Sequence, residues 1–174
     1  VTLISAPTKL TPPAGVAMVD VLTTEDLADA VTSAFKQADI LVMAAAVADF
    51  KPIKSADQKI KKSADNDEMT IKLTKTADIL KRVAQMKRPG QLTVGFAAET
   101  QNLLDNAQKK LISKQLDLLI ANDVSKPGVG FNGDTNQVTI LQPDQAPIKT
   151  TLADKHVIAE QVVDQISQRV QKEG

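Results

Sequence analysis

The chain has 174 residues, 43% hydrophobic and 24% charged, with Lys+Arg and Asp+Glu balanced at 21 each; this is the make-up of one ordinary globular domain over 1–174, with no charge excess to attract nucleic acid or a membrane surface. Four Phe, with no Tyr or Trp, leave no stacking platform for single-stranded nucleic acid. No Cys and a single His, His156, exclude disulfides, thiolate nucleophiles, Cys-ligated zinc and His-rich metal sites.

In chain order, residues 1–5 read as a strand and 16–22 as a second extended piece, separated by a loop that Pro7, Pro12, Pro13 and Gly15 punctuate. Residues 24–36 are predicted helical, with Thr24 as N-cap and Glu25 and Asp26 in the first turn. The apolar run 39–47 reads as a buried parallel strand. Residues 51–68 are polar and lysine-rich and read as a surface loop. Alternation over 69–73 predicts a strand with one wet face. A helix over 77–87 ends before Pro89-Gly90, and 92–98 form the next buried strand. A helix over 102–115, a strand over 116–121 and a loop over 125–135 follow. Residues 138–141 read as a strand, paired with 148–150 around Pro143-Asp144. A C-terminal helix over about 153–171 carries Ile158, Val162, Ile166 and Val170 on one stripe. Strands alternating with helices predict a Rossmann-like three-layer α/β fold, its sheet mainly parallel, with a small antiparallel extension near 136–150.

Three apolar runs end in small and polar residues: Ala44-Ala45-Ala46-Val47-Ala48-Asp49-Phe50, Val94-Gly95-Phe96-Ala97-Ala98-Glu99-Thr100 and Ile120-Ala121-Asn122-Asp123-Val124. The carboxyl ends of parallel strands are where open α/β sheets hold ligands, and the cluster Lys59-Ile60-Lys61-Lys62 adds positive charge, so an anionic ligand is expected. Lys110 and Lys114 flank the apolar stripe Leu103, Leu104, Ala107 and Leu111; they either snorkel or reach phosphates over the sheet edge. The Lys59 cluster is either a solvated charge run or a flap over a polyphosphate. Asp49 either caps a turn or contacts a ligand hydroxyl, an amine or a hydrated magnesium ion. Phe96 is either core or a ring against a planar base, with small neighbours that let backbone amides approach. Glu99 is read as a helix cap ahead of a metal ligand, Asn122 and Asp123 as turn formers, and His156 as a surface residue. No Walker loop, G-x-G-x-x-G or nucleophile–base pair is present, so any catalysis would rest on positioning and charge neutralisation.

Together with Gly130-Phe131-Asn132, Asp134 and Asn136, these segments resemble phosphopantothenoylcysteine synthetase (phosphopantothenate–cysteine ligase), the C-terminal CTP-dependent half of many bifunctional coenzyme A biosynthesis proteins. The resemblance covers nearly the whole chain. It implies a cytoplasmic ligase that joins 4′-phosphopantothenate and cysteine through a CTP-derived acyl-cytidylate, with Mg2+, as a homodimer that can be fused to a flavin-dependent decarboxylase. It implies catalytic roles for Lys59, the flap lysine, and Asp49. It implies nucleotide contacts from Asp49, Lys59, Ala77, Asp78, Ile79, Leu80, Phe96, Lys110 and Lys114, and substrate or intermediate contacts from Ala45 and Asn122. In the family an Asn-Pro-Asp usually precedes the helix at 78, where this chain has Thr76-Ala77-Asp78; losing the proline is expected to weaken nucleotide binding. With no initiator Met, the chain reads as a fragment. The family's first strand, glycine-rich turn and Ser-Asn-x-Ser-Ser-Gly segment would precede Val1, and without them the chain is expected to bind CTP and not complete the reaction. The rivals are a non-catalytic nucleotide-binding module on the same fold, or a Rossmann oxidoreductase, which the missing glycine fingerprint disfavours.

Overall fold

The computed structural model describes residues 1–61, 68–125, 133–143 and 145–173. In chain order the elements are β1 (Thr2–Ser5), β2 (Ala17–Asp20), α1 (Thr24–Phe35), β3 (Ile40–Met43), β4 (Phe50–Pro52), β5 (Leu73–Lys75), α2 (Ile79–Met86), β6 (Leu92–Glu99), α3 (Leu103–Ser113), β7 (Leu118–Asp123), β8 (Thr135–Asn136), β9 (Val138–Leu141), β10 (Ile148–Lys149), β11 (Ala153–Asp154) and α4 (Lys155–Glu173). The chain divides into two compact units, Val1–Val31 with Ala46–Asp78, and Thr32–Ala45 with Ile79–Gly174; the first boundary falls inside α1.

In the first unit β1 and β2 pair in parallel, Thr2 opposite Ala17 and Ser5 opposite Asp20. β4 and β5 pair antiparallel, Phe50 opposite Lys75 and Pro52 opposite Leu73. The expected strand at 69–73 is thus displaced to Leu73–Lys75. Its alternating Met69, Ile71 and Leu73 are all more than half exposed, so no core face rewards the alternation, and pairing with β4 sets the strand instead. The cap of α1 is one residue earlier than expected. The Asp26 amide donates to Thr23 Oγ1 (3.1 Å) and Asp26 Oδ2 accepts from the Thr23 amide (2.9 Å), a reciprocal capping box around Thr23. Glu25, in the same first turn, forms an ion pair with Lys51 of β4.

The second unit is built on a five-stranded sheet in the order β10-β9-β7-β6-β3. β3, β6 and β7 run parallel, while β9 and β10 form the antiparallel extension, Ile140 opposite Ile148. Residues alternate between two buried faces. Ala97, Leu119, Ala121 and Leu141 pack with Leu80 of α2 and Ala107 and Leu111 of α3 on one side. Val94, Leu118, Ile120, Val138 and Ile140 pack with Ile158, Val162 and Ile166 of α4 on the other. Each fully buried aliphatic contributes about 1.5–3 kcal/mol relative to exposure. This unit has the expected three layers. The α4 stripe stops at Ile166, because Val170 is 44% exposed.

Two polar anchors fix the amino ends of the strands. Asp117 accepts from Lys87 Nζ at both oxygens (2.7 and 2.6 Å) and from the Thr93 amide (2.6 Å) and hydroxyl (2.9 Å). Gln91 donates to the carbonyls of Phe35 and Ala38 and accepts from the Arg88 amide, which ties the end of α1 to the start of β6.

β3 departs most from expectation. The run 39–47 gives a four-residue strand, not a nine-residue one, and it lies at the sheet edge with Ile40 and Val42 exposed. Ala44, Ala45, Ala46 and Ala48 are poor strand formers, so the backbone leaves the ladder once the bulky residues end.

Candidate functional site

β6 and β7 carry most of the candidates in the second unit. They pair in register to their ends, Ala98 opposite Asn122 and Glu99 opposite Asp123, so their polar termini lie side by side. α3 leaves β6 through Asn102, whose φ of 48° places it in the left-handed region, and no side chain caps this helix start. Glu99 is therefore not the helix cap expected from sequence. Its carboxylate binds two side chains of α3: Oε1 accepts from Lys110 Nζ (2.6 Å) and Oε2 from Asn106 Nδ2 (3.1 Å). Side chains on a helix tilt toward its N-terminus, so Lys110 can reach back over a turn to the strand end.

Lys110 thus does more than snorkel: its ammonium sits on the carboxyl edge of β6 while its side chain stays 44% exposed. Lys114 forms the C-cap of α3, and its amide donates to the Lys110 carbonyl (3.0 Å). Phe96 is the exposed member of an otherwise buried stretch of β6, at 40%, although Ile120 opposite it is fully buried. It points to the face that α4 packs against, and Lys110 lies on the α3 face, so the two approach the strand end from opposite sides of the sheet. Asn122 is half-buried in β7, and Ala45 is exposed just beyond β3.

Gly95 was read with its neighbours as a place for backbone to approach a ligand. A side chain there would instead meet Leu116 Cδ1 at 2.7 Å, Leu119 Cδ1 at 3.3 Å and Leu80 Cδ1 at 3.4 Å. Leucine packing occupies the space, and packing explains the glycine. Asp123 behaves as a turn former, its Oδ1 accepting from the Ser125 amide (3.1 Å) and hydroxyl (2.5 Å).

In the first unit Asp49 is exposed: the Thr76 amide donates to the Asp49 carbonyl (2.9 Å) and Thr76 Oγ1 to the Ala48 carbonyl (2.6 Å). Ala77 and Asp78 follow directly, half-buried. Ile79 and Leu80 begin the second unit at the start of α2 and are buried, 3% and 8% exposed. Lys59 and Lys61 are exposed and irregular. Lys62 and the motif Gly130-Phe131-Asn132 lie outside the described residues, whereas Asp134 and Asn136 are described and Asn136 pairs with Ala153. His156 is exposed against Glu160 (3.3 Å), as expected.

A concavity of about 370 Å³ opens beside α3, lined by Leu103, Leu104, Ala121, Thr139 and Lys149 among others. Its lining also includes Asp123, at the carboxyl end of β7, but not Phe96, Lys110 or Lys114, and it is the conjunction of charge and strand ends that identifies the site. No group of three or more His, Cys, Asp or Glu among the described residues could hold a metal ion. No helix among them is long and apolar enough to cross a membrane. The Glu99–Lys110–Asn106 triad escaped the sequence reading. Its one trace was the four-residue spacing of Asn106 and Lys110, and the path from Glu99 to the helix could not be read from composition.

A family model described as the DNA/pantothenate metabolism flavoprotein C-terminal domain matches residues 1–170. The coenzyme A biosynthesis bifunctional protein CoaBC of Vibrio parahaemolyticus is 44% identical over 144 residues, covering 83% of this chain and 36% of that protein. The protein of the same name from Escherichia coli is 41% identical over 170 residues, covering 97% and 42%. The crystal structure of the C-terminal domain of a coenzyme A biosynthesis bifunctional protein CoaBC superposes with a TM-score of 0.80 at 33% identity, covering 98% of this chain and 74% of that one. The chain thus spans about two-fifths of the length of these curated relatives.

Proposed function

The chain belongs to the DNA/pantothenate metabolism flavoprotein C-terminal domain family, and from that premise we propose that it is the ligase part of a phosphopantothenoylcysteine synthetase, acting in the cytoplasm in coenzyme A biosynthesis. The reaction is the condensation of 4′-phosphopantothenate with cysteine. CTP activates the carboxylate as an acyl-cytidylate with release of pyrophosphate, and the cysteine amine then displaces CMP.

The observation that carries this reading is Lys110, whose ammonium is held at the carboxyl edge of the parallel β6–β7 pair, where α/β sheets bind ligands. In this reading Lys110 and Lys114 neutralise the triphosphate, Phe96 packs at the cytosine, and the amides of Ala77, Asp78, Ile79 and Leu80, leading into α2, supply donors to oxygen atoms. Asp49 contacts the nucleotide, and exposed Lys59 closes over the phosphates. Ala45 and Asn122 contact the substrate or the acyl intermediate. Of the two carboxylates that end β6 and β7, Glu99 is engaged by Lys110 and Asn106, and Asp123 by Ser125. Magnesium, when bound with the nucleotide, would neutralise charge on its phosphates. We also propose a homodimer and a longer parent protein that carries a flavin-dependent decarboxylase. The dimer is supported by the β4–β5 ribbon, where Phe50 and Leu73, with Ile53 directly after β4, are more than half exposed, a large apolar display for a two-stranded sheet.

Calorimetric titration of the chain with Mg-CTP and Mg-ATP tests the reading. CTP is expected to bind more tightly than ATP, and the Lys110→Ala/Lys114→Ala variant to lose at least about tenfold in affinity, as expected when charged partners of a phosphate are removed. Equal CTP affinity in the variant would remove the triphosphate from α3. Pyrophosphate release that depends on 4′-phosphopantothenate separates a ligase from a nucleotide-binding module.

A further inference from the structure

We infer that Glu99 is a positioning residue for the nucleotide, holding Lys110 in the place from which it meets the phosphates; this rests on the nucleotide reading of Lys110 given above. Glu99 is the fixed member of the pair. Its side chain is 12% exposed against 44% for Lys110. Its carbonyl accepts from the Val124 amide (3.1 Å), and its second oxygen is held by Asn106. Asn106 is itself restrained, its side-chain amide donating to the Gln101 carbonyl (3.0 Å) and its backbone amide to the Asn102 carbonyl (3.0 Å). The loop between β6 and α3 is thus closed around the carboxylate.

A lysine on a helix surface has a flexible four-carbon stem, and its ammonium must be immobilised before it can serve a phosphate. Here one contact with Glu99 Oε1 immobilises it in advance. An ammonium has three donors, and the Glu99 contact uses one of them. Glu99 is tethered by a second contact, its other oxygen accepting from Asn106. The carboxylate therefore serves as a fixed post for Lys110, and the lysine bridges it to the incoming phosphate.

The test compares Glu99→Gln, Lys110→Ala and the double variant by Mg-CTP titration of the chain, and by KM and kcat in turnover of the longer parent protein, with the thermal midpoint recorded for each. Glu99→Gln is expected to weaken CTP about tenfold and to act on KM while leaving kcat within about twofold, the signature of lost ground-state binding. Added to Lys110→Ala it is expected to cause no further loss, because Glu99 acts through that lysine. Tighter CTP binding in Glu99→Gln would overturn the inference by making the carboxylate a competitor of the phosphates. Multiplying losses in the double variant would overturn it too. If Lys110→Ala leaves CTP affinity unchanged, the nucleotide reading of Lys110 has failed and the inference fails with it; multiplying losses with a Lys110 effect intact sink the inference alone. Asn106→Ala removes the other restraint on Glu99 without touching the ion pair. It is expected to weaken CTP in the same direction by a smaller factor, and a null effect there with Glu99→Gln misfolded also overturns the inference.

Discussion

Thr23 and Asp26 close the start of α1 from both directions, and the bonds to Asp26 favour its carboxylate form. The Thr23 amide, then the Thr23 side chain and the Leu22 amide, hold its carboxyl below the ordinary carboxylate range. A folded-state pKa that is depressed stabilises the fold at every pH above the unfolded group's value, and the benefit fades as the pH falls through the folded one. Hydrogen exchange of the amides from Leu27 to Ala30 is therefore expected to lose protection in acid below the ordinary carboxylate range, and an Asp26→Asn variant to lack that step; parallel profiles for the two proteins would refute the assignment. The sequence signalled a helix start here but chose Thr24. A Thr-Thr pair offers two equivalent hydroxyls, and only the reach of Asp26 back to the Thr23 amide distinguishes them. Glu99 is harder to read for the same reason on a larger scale. Its partners Asn106 and Lys110 are set by the left-handed turn at Asn102, a conformation that asparagine tolerates and no pattern announces.

The elements that were legible are those with two covered faces. β6 and β7 are buried by α2 and α3 on one side and α4 on the other, so their apolar runs could be read directly. β3 has the same kind of sequence and a different fate, because apolar composition does not show whether a strand is central or at an edge. β5 was misplaced because its partner β4 is local and exposed, and register there follows backbone pairing rather than a core. Within β6, Gly95 is where the strand and the leucines of the α2–α3 face meet most tightly. Gly95→Ala forces the buried Leu116 side chain off its position and is expected to destabilise by about 1–3 kcal/mol, as overpacking does. Urea unfolding of the variant with an unchanged m-value would read this directly, and a stabilised variant would show that Leu116 yields at no cost.

At the scale of the whole molecule, the alternation of strands and helices was enough to foresee an α/β fold with a mainly parallel sheet and an antiparallel margin, and the sheet of the second unit has that form. Candidate site residues could be named because the strand ends are conspicuous, but exposure could not. Phe96 was as readable as a core residue as it was as a ligand platform, and only the uncovered face at its position separates the two. The parallel order of the sheet also has a consequence for how the chain folds in time. β9 and β10 meet across a short connection, whereas Ile40 of β3 must find Leu92 of β6 across about fifty residues of intervening chain. Closing the longer loop costs about 2 kcal/mol more in chain entropy than closing the hairpin, so the edge strand is expected to dock after the rate-limiting step. Stopped-flow measurements should then find that Leu119→Ala slows folding, whereas Leu41→Ala, which trims β3 where it packs on the α3 face, mainly speeds unfolding. The β3 edge of the sheet would thus be the last part to assemble and the first to let go.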